Sequence, residues 1–342
     1  MPTLFNEVLD KRQIFERVGS LSQICGPRSY IMADGRAKGM SAVDIRTGGG
    51  LNYTVLPDRG MDIAWAEFKG VPLGFISKSG VISPEYFCTD KTTWGESFYG
   101  GLLTTCGLMQ AGKGCMYHDR KFSPHGKVSN VPSEKTGIIY NWENDELVMG
   151  IRGILNEAQL YKENLQMTRT ITSKLGENKI IIHDVVENNG FEKVPLMIIY
   201  HMNFGYPLIG KDTELLVSSK EIKPGVETSE ADLLNYNRFD NPSVEYTSKM
   251  FYHNLETDEN GYAICRLLNR KLKTCVSIKF NKNELWNFME WKHLKAGDYV
   301  LGLEPCNNYA MGLAEEEENE TLEYIEPGVI REFTLEIGVT EE

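Results

Sequence analysis

The feature that most constrains this chain is a two-residue alternation of apolar and polar side chains, repeated in short runs that turn residues interrupt. In Glu332-Phe333-Thr334-Leu335-Glu336-Ile337-Gly338-Val339, the residues Phe333, Leu335, Ile337 and Val339 share one face. Such a period belongs to a half-buried strand of an antiparallel sheet. Leu165, Met167, Arg169 and Ile171 alternate in the same way with Gln166, Thr168, Thr170 and Thr172. Residues 179–186 (KIIIHDVV) are rich in β-branched side chains and end at the turn cluster Glu187-Asn188-Asn189-Gly190. Shorter strand-like runs occupy 137–142, 146–151, 214–218, 262–268 and 274–280. Strands do not alternate with helical stretches of ten or more residues, so a parallel α/β fold is disfavoured. The pattern predicts an all-β protein, a large antiparallel β-sandwich.

Helical signals are few. Ile14, Val18 and Leu21 fall at i, i+4 and i+7 and predict a helical extension within residues 1–24. A short helical turn is expected at 229–234. The acidic run Glu315-Glu316-Glu317-Glu318-Asn319-Glu320 reads as a solvated loop. No Pro/Ser-rich linker divides the chain, so residues 1–342 are expected to form one domain.

Composition removes several function classes. The formal net charge is −12, and no Lys/Arg cluster offsets it locally, so neither nucleic acid nor an anionic membrane is an expected partner. The longest apolar stretch, 194–209, is interrupted by His201, Asn203 and two prolines and is shorter than the ~20 residues of a membrane helix. Seven cysteines without CxxC spacing read as reduced, mostly buried thiols of a cytoplasmic protein. His118 and His125 lack a ligand-like partner pattern, so neither a metal nor another cofactor is expected.

Chemistry has four candidate locations, besides a Gly-rich stretch at 95–126 whose length favours a functional loop. Arg59 and Asp62 sit in Leu56-Pro57-Asp58-Arg59-Gly60-Met61-Asp62-Ile63. His125 projects from Pro124-His125-Gly126. His201 and Asn203 share a strand face among aromatic residues. Glu304 lies in an apolar strand before Pro305. A buried carboxylate is costly unless it is paired or useful. A histidine acid with a carboxylate base suits proton transfer on a polyhydroxylated substrate. Aromatic side chains interleaved with Arg, Asn and Gln suit a sugar, which has apolar ring faces and polar edges.

Seven motifs in order, LPDRGMDI (56–63), FYGGLLTTCGL (98–108), HGKVSN (125–130), DVVENNG (184–190), YHMNFGYPL (200–208), WKHL (291–294) and GLEPCNN (302–308), resemble the galactose mutarotase-like (aldose 1-epimerase) superfamily, in particular its aldose 1-epimerase-like branch. The resemblance implies a β-supersandwich that interconverts the anomers of a free sugar. It also implies that His201 is the general acid and Glu304 the general base. By the same resemblance His125 and Arg59 bind the sugar, and Asp62, Trp94, Gln110, Asn203 and Lys292 line the pocket, with Cys106 nearby. The stretches Tyr200-His201-Met202-Asn203 and Glu304-Pro305-Cys306-Asn307 depart from the galactose mutarotase pattern, so sugar specificity does not transfer. The alternatives are a non-catalytic sugar sensor, or a lyase or epimerase on the same scaffold.

Overall fold

The computed structural model describes residues 1–87 and 94–342. Numbering only strands of five or more residues, the chain forms β1 (Gly26–Ile31), β2 (Ser41–Arg46), β3 (Leu51–Leu56), β4 (Asp62–Phe68), β5 (Leu103–Leu108), β6 (Glu134–Glu143), β7 (Glu146–Ala158), β8 (Asn164–Lys174) and β9 (Lys179–Asn188). There follow β10 (Met197–Phe204), β11 (Thr213–Val217), β12 (Ser219–Pro224), β13 (Lys249–Leu255), β14 (Tyr262–Asn269), β15 (Thr274–Asn281), β16 (Asn287–Lys295), β17 (Asp298–Cys306) and β18 (Ile330–Glu341). Two antiparallel sheets result. The larger has the order β12-β13-β16-β17-β10-β5-β4-β3-β2-β1, and the smaller β6-β7-β8-β9-β18-β15-β14-β11. This is the expected all-β architecture.

The alternation in the sequence explains the smaller sheet. In β9 every second residue is buried: Ile180, Ile182, Asp184, Val186 and Asn188. In β8 the buried set is Leu165, Met167, Arg169, Ile171 and Ser173. These faces pack into one apolar cluster with residues of the larger sheet such as Val55, Ile63, Met202 and Leu303. By contrast, all eight residues of β10 are buried, because this strand is covered on both faces.

One polar group crosses this core. The Arg169 guanidinium on β8 contacts Asp184 on β9 at 2.7 Å and Asp62 on β4 at 3.1 Å, and all three side chains are fully buried. Tyr200 donates to Asp184 at 2.7 Å from the inner face of β10. Thr105 on β5 donates to Asp62 through both its backbone N–H and its hydroxyl. A buried charge is tolerated when it is paired and its hydrogen bonds are satisfied. This cluster therefore pins the two sheets together directly behind His201.

Two local expectations are corrected and one is met. The helical extension contracts to α1 (Lys11–Phe15) and a single 3-10 turn at Leu21–Gln23, although Ile14, Val18 and Leu21 are buried as the spacing required. The turn expected at 229–234 is a 3-10 segment, Glu230–Asn235. The acidic run is not merely a solvated loop: it forms most of α2 (Leu313–Glu318), and Glu316 is fully buried within it. The Glu316 carboxylate accepts from the backbone N–H groups of Tyr309 and Met311, which explains its burial. The six cysteines among the described residues are free thiols; Cys88 lies outside those residues.

Candidate active site

Register decides which side chains meet. β10 and β17 pair antiparallel with Met202 opposite Leu303 and Asn203 opposite Gly302, which sets His201 across from Glu304. β16 lies on the other side of β17, with Trp291 opposite Gly302. His201, Glu304 and Trp291 share the outer face of the sheet and line a cavity of about 400 Å³. Gly302 permits this convergence. A Cβ there would lie 2.6 Å from Glu304 Oε1, 3.1 Å from His201 Cε1 and 3.1 Å from Trp291 Cβ.

His201 Nε2 stands 3.2 Å from Glu304 Oε1. Among the described residues, Glu304 Oε1 and His201 Nδ1 are buried without hydrogen-bond partners. His125 is the third polar group. It adopts φ 57° at a turn, where its N–H donates to the Gly112 carbonyl and its carbonyl accepts from Gly107, and its Nδ1 is also unpartnered. Aromatic rings enclose the three. Trp94 lies against His125 at 4.9 Å between centroids, Phe98 meets His201 edge-on at 5.6 Å, and Trp291 does so at 5.5 Å. Met250, Tyr252 and Met311 also line the cavity.

Enclosure by carbon sets the proton positions. Burial raises the Glu304 carboxyl to about 8 and lowers the imidazoles of His201 to about 3 and His125 to about 4. Desolvation disfavours whichever form is charged. At neutral pH the pair therefore holds one proton, and it resides on Glu304. Cys106 is fully buried, and its thiol is pushed well upward by burial and by Glu304, so it is a packed thiol.

Of the expected site residues, His201, Glu304, His125 and Trp94 come together in the cavity. Arg59 does not. Its guanidinium is buried and donates to the carbonyls of Ser129, Ile82 and Ser97 at 2.8, 2.7 and 3.2 Å. It holds the segment carrying Trp94 and Phe98 and offers nothing to a ligand in the cavity. Asp62 belongs to the Arg169 cluster. Gln110 accepts from the Leu313 N–H at 2.9 Å and donates to the Lys113 carbonyl at 2.6 Å, which braces the cavity wall without lining it. Asn203 donates to the His201 carbonyl at 2.9 Å. Lys292 points away from Trp291 because neighbours on a strand face oppositely, and its ammonium contacts the carbonyls of Asn235 and Tyr236. Trp291, Phe98 and Gly302 were missed as site residues although each lies in a quoted motif, and the alternation of β16 was the signal for preferring Trp291 to Lys292. Met250 and Tyr252 lie in β13, where no motif marks them.

The fold matches solved structures along nearly the whole chain. A Klebsiella pneumoniae protein described as a "putative aldose 1-epimerase" superposes with a TM-score of 0.87 at 22% identity, covering 96% of this chain and 90% of that one. A galactose mutarotase-like protein from Clostridium acetobutylicum gives 0.65 at 14% identity, covering 94% and 100%. A galactose 1-epimerase from Lactobacillus acidophilus gives 0.61 at 11% identity, covering 93% and 99%. These similarities establish a galactose mutarotase-like fold. No curated protein sequence matches the chain. A family model matches residues 37–339, and the chain thus belongs to the family described as a domain of unknown function, DUF4432.

Proposed function

We propose that the protein interconverts the anomers of a free aldose, with His201 and Glu304 exchanging protons with the substrate. The observation that carries this reading is the buried pair itself, 3.2 Å apart, with unpartnered polar atoms in an aromatic cavity.

Ring opening needs a base at the anomeric hydroxyl and an acid at the ring oxygen. In the carboxylate–imidazolium tautomer, Glu304 takes the anomeric proton while His201 gives one to the ring oxygen. The C1–O5 bond breaks and a C1 carbonyl forms. The pair is then a carboxylic acid beside a neutral imidazole, the tautomer that burial favours. Rotation about C1–C2 presents the other carbonyl face. His201 takes the O5 proton, Glu304 protonates the carbonyl oxygen, and the ring recloses with its C1 configuration inverted. Every step keeps one proton on the pair, and the preferred resting tautomer is that of the open-chain intermediate. The ring-opening form is reached by moving this proton from Glu304 to His201, so the step starts from the less populated tautomer and returns to the favoured one as the open chain forms.

The test is the exchange rate between anomeric proton signals of free aldoses, measured by NMR against the spontaneous background. Glu304→Gln and His201→Gln are each expected to lower the catalysed rate by ~10²–10⁴-fold. Unchanged catalysed exchange in both variants would refute the reading. Tight binding with no catalysed exchange in the unmodified protein would favour a sensor.

A further inference from the structure

We propose that the cavity selects 6-deoxy aldoses, sugars whose C5 carries a methyl group in place of a hydroxymethyl group. The proposal rests on the anomerase reading and names the substrate class of the same site.

The side chains that could have received a hexose's hydroxyls are engaged within the protein. Arg59, Gln110, Asn203 and Lys292 all donate to the protein's own carbonyls. What remains on the wall beside the reacting pair is dominated by carbon. Tyr252 already donates its hydroxyl to the Tyr309 carbonyl at 3.2 Å, and the Lys113 ammonium stands 3.1 Å from Glu315. Among the described residues, His125 is the wall's only unpartnered imidazole besides His201.

Chemistry then places the missing oxygen. With the ring oxygen at His201, C5 is one bond away and C6 two. The rings flanking His201 are Phe98 at 5.6 Å, Trp291 at 5.5 Å and His125 at 5.9 Å. Phe98 has no polar atom, and the Trp291 indole N–H already donates to Ser248 Oγ at 2.6 Å. The face that receives C6 is therefore apolar where Phe98 and Trp291 form it, and its polar groups are Glu304, engaged at the anomeric hydroxyl, His125, and the indole N–H of Trp94, whose ring packs on Phe98 at 5.0 Å. A methyl group fills such a face, whereas a hydroxyl surrenders its water there for few partners. The single remaining imidazole is better matched to one ring hydroxyl.

The test uses sugar pairs that differ by one oxygen: galactose and 6-deoxygalactose, glucose and 6-deoxyglucose, mannose and 6-deoxymannose. Catalysed anomeric exchange is measured by NMR, each sugar corrected for its own spontaneous rate. A hydrophobic pocket rejects an added hydroxyl by up to ~10²-fold, so kcat/KM should favour the deoxy member by ~10–10²-fold. Equal values, or a preference for the parent in all three pairs, overturn the proposal. If no sugar is anomerised, the anomerase reading fails, and the selectivity is then decided by saturation-transfer binding of the same pairs: preferential binding of the deoxy members supports it and equal binding overturns it. Phe98→Gln supplies a hydrogen-bonding group beside C6. It should shift the deoxy-to-parent ratio toward one, whereas a merely structural loss would slow both members alike.

Discussion

Replacing Glu304 with glutamine should inactivate the protein and stabilise it in alkali. The carboxyl is fully buried and raised from 4.5 to about 8 by desolvation alone. Between these values the native state holds a proton that the unfolded chain has lost. Stability from this group is therefore present at low pH and declines as pH rises toward 8. At ~1.4 kcal/mol per pH unit, the penalty grows from about 0.8 kcal/mol at pH 5 to about 4.7 kcal/mol at pH 9, a difference of about 4 kcal/mol. Glutamine keeps the shape and cannot ionise. Urea denaturation of both proteins at pH 5, 7 and 9 isolates the effect, because other titrating groups, Asp62 among them, contribute equally and cancel. The variant should gain about 4 kcal/mol on the unmodified protein across this range while losing catalysed exchange. A stability difference constant to within about 1 kcal/mol from pH 5 to 9 would show that the carboxyl is not desolvated, and the proton bookkeeping of the mechanism would fall with it.

The other predictions concern the pair and its supports. Because the competent state carries one proton, kcat/KM should be level near neutrality, fall above about pH 8 as Glu304 ionises and fall in strong acid as His201 is protonated; a rate rising through pH 8 would contradict this. Gly302→Ala sets a Cβ 2.6 Å from Glu304 Oε1 and should lower kcat by ~10²-fold by displacing the carboxyl, and a fully active variant refutes the positioning argument. Arg169→Met strands two buried carboxylates and should destabilise the fold by ~3–5 kcal/mol in urea denaturation. Glu316→Ala frees the backbone of Tyr309 and Met311 and should raise KM more than it lowers kcat, with Glu316→Gln retaining part of the function in the same steady-state assay.

The fold was legible because strand alternation is a local property. Residues 179–188 declare their buried face without knowledge of their neighbours. The meeting of His201 and Glu304 was legible for a different reason: a carboxylate and a histidine in apolar strands stand out by what they would cost if idle. Arg59 and Lys292 misled because a cation in a motif looks the same whether it meets a ligand or a carbonyl. Only register and packing distinguish these, and both depend on residues remote in sequence: Arg59 is held by Ser129, and Lys292 by Asn235. Glu316 misled in the opposite sense. A run of glutamates has no internal mark showing which member turns inward. The turn is set by two N–H groups five and seven residues earlier.

Sheet order carries a consequence for biosynthesis. β17 is inserted between β16 and β10 in one sheet, and β18 between β9 and β15 in the other. Each sheet is thus closed at its interior by a strand that is made after both of its neighbours. Before residue 298 leaves the ribosome, the larger sheet consists of two fragments with an open edge on each, and the smaller sheet remains split until residue 341 follows. Unpaired apolar edges recruit other chains. The nascent protein should therefore depend on chaperones until β17 and β18 emerge, and a ribosome stalled before β17 should carry an aggregation-prone chain in which His201 has no Glu304 beside it.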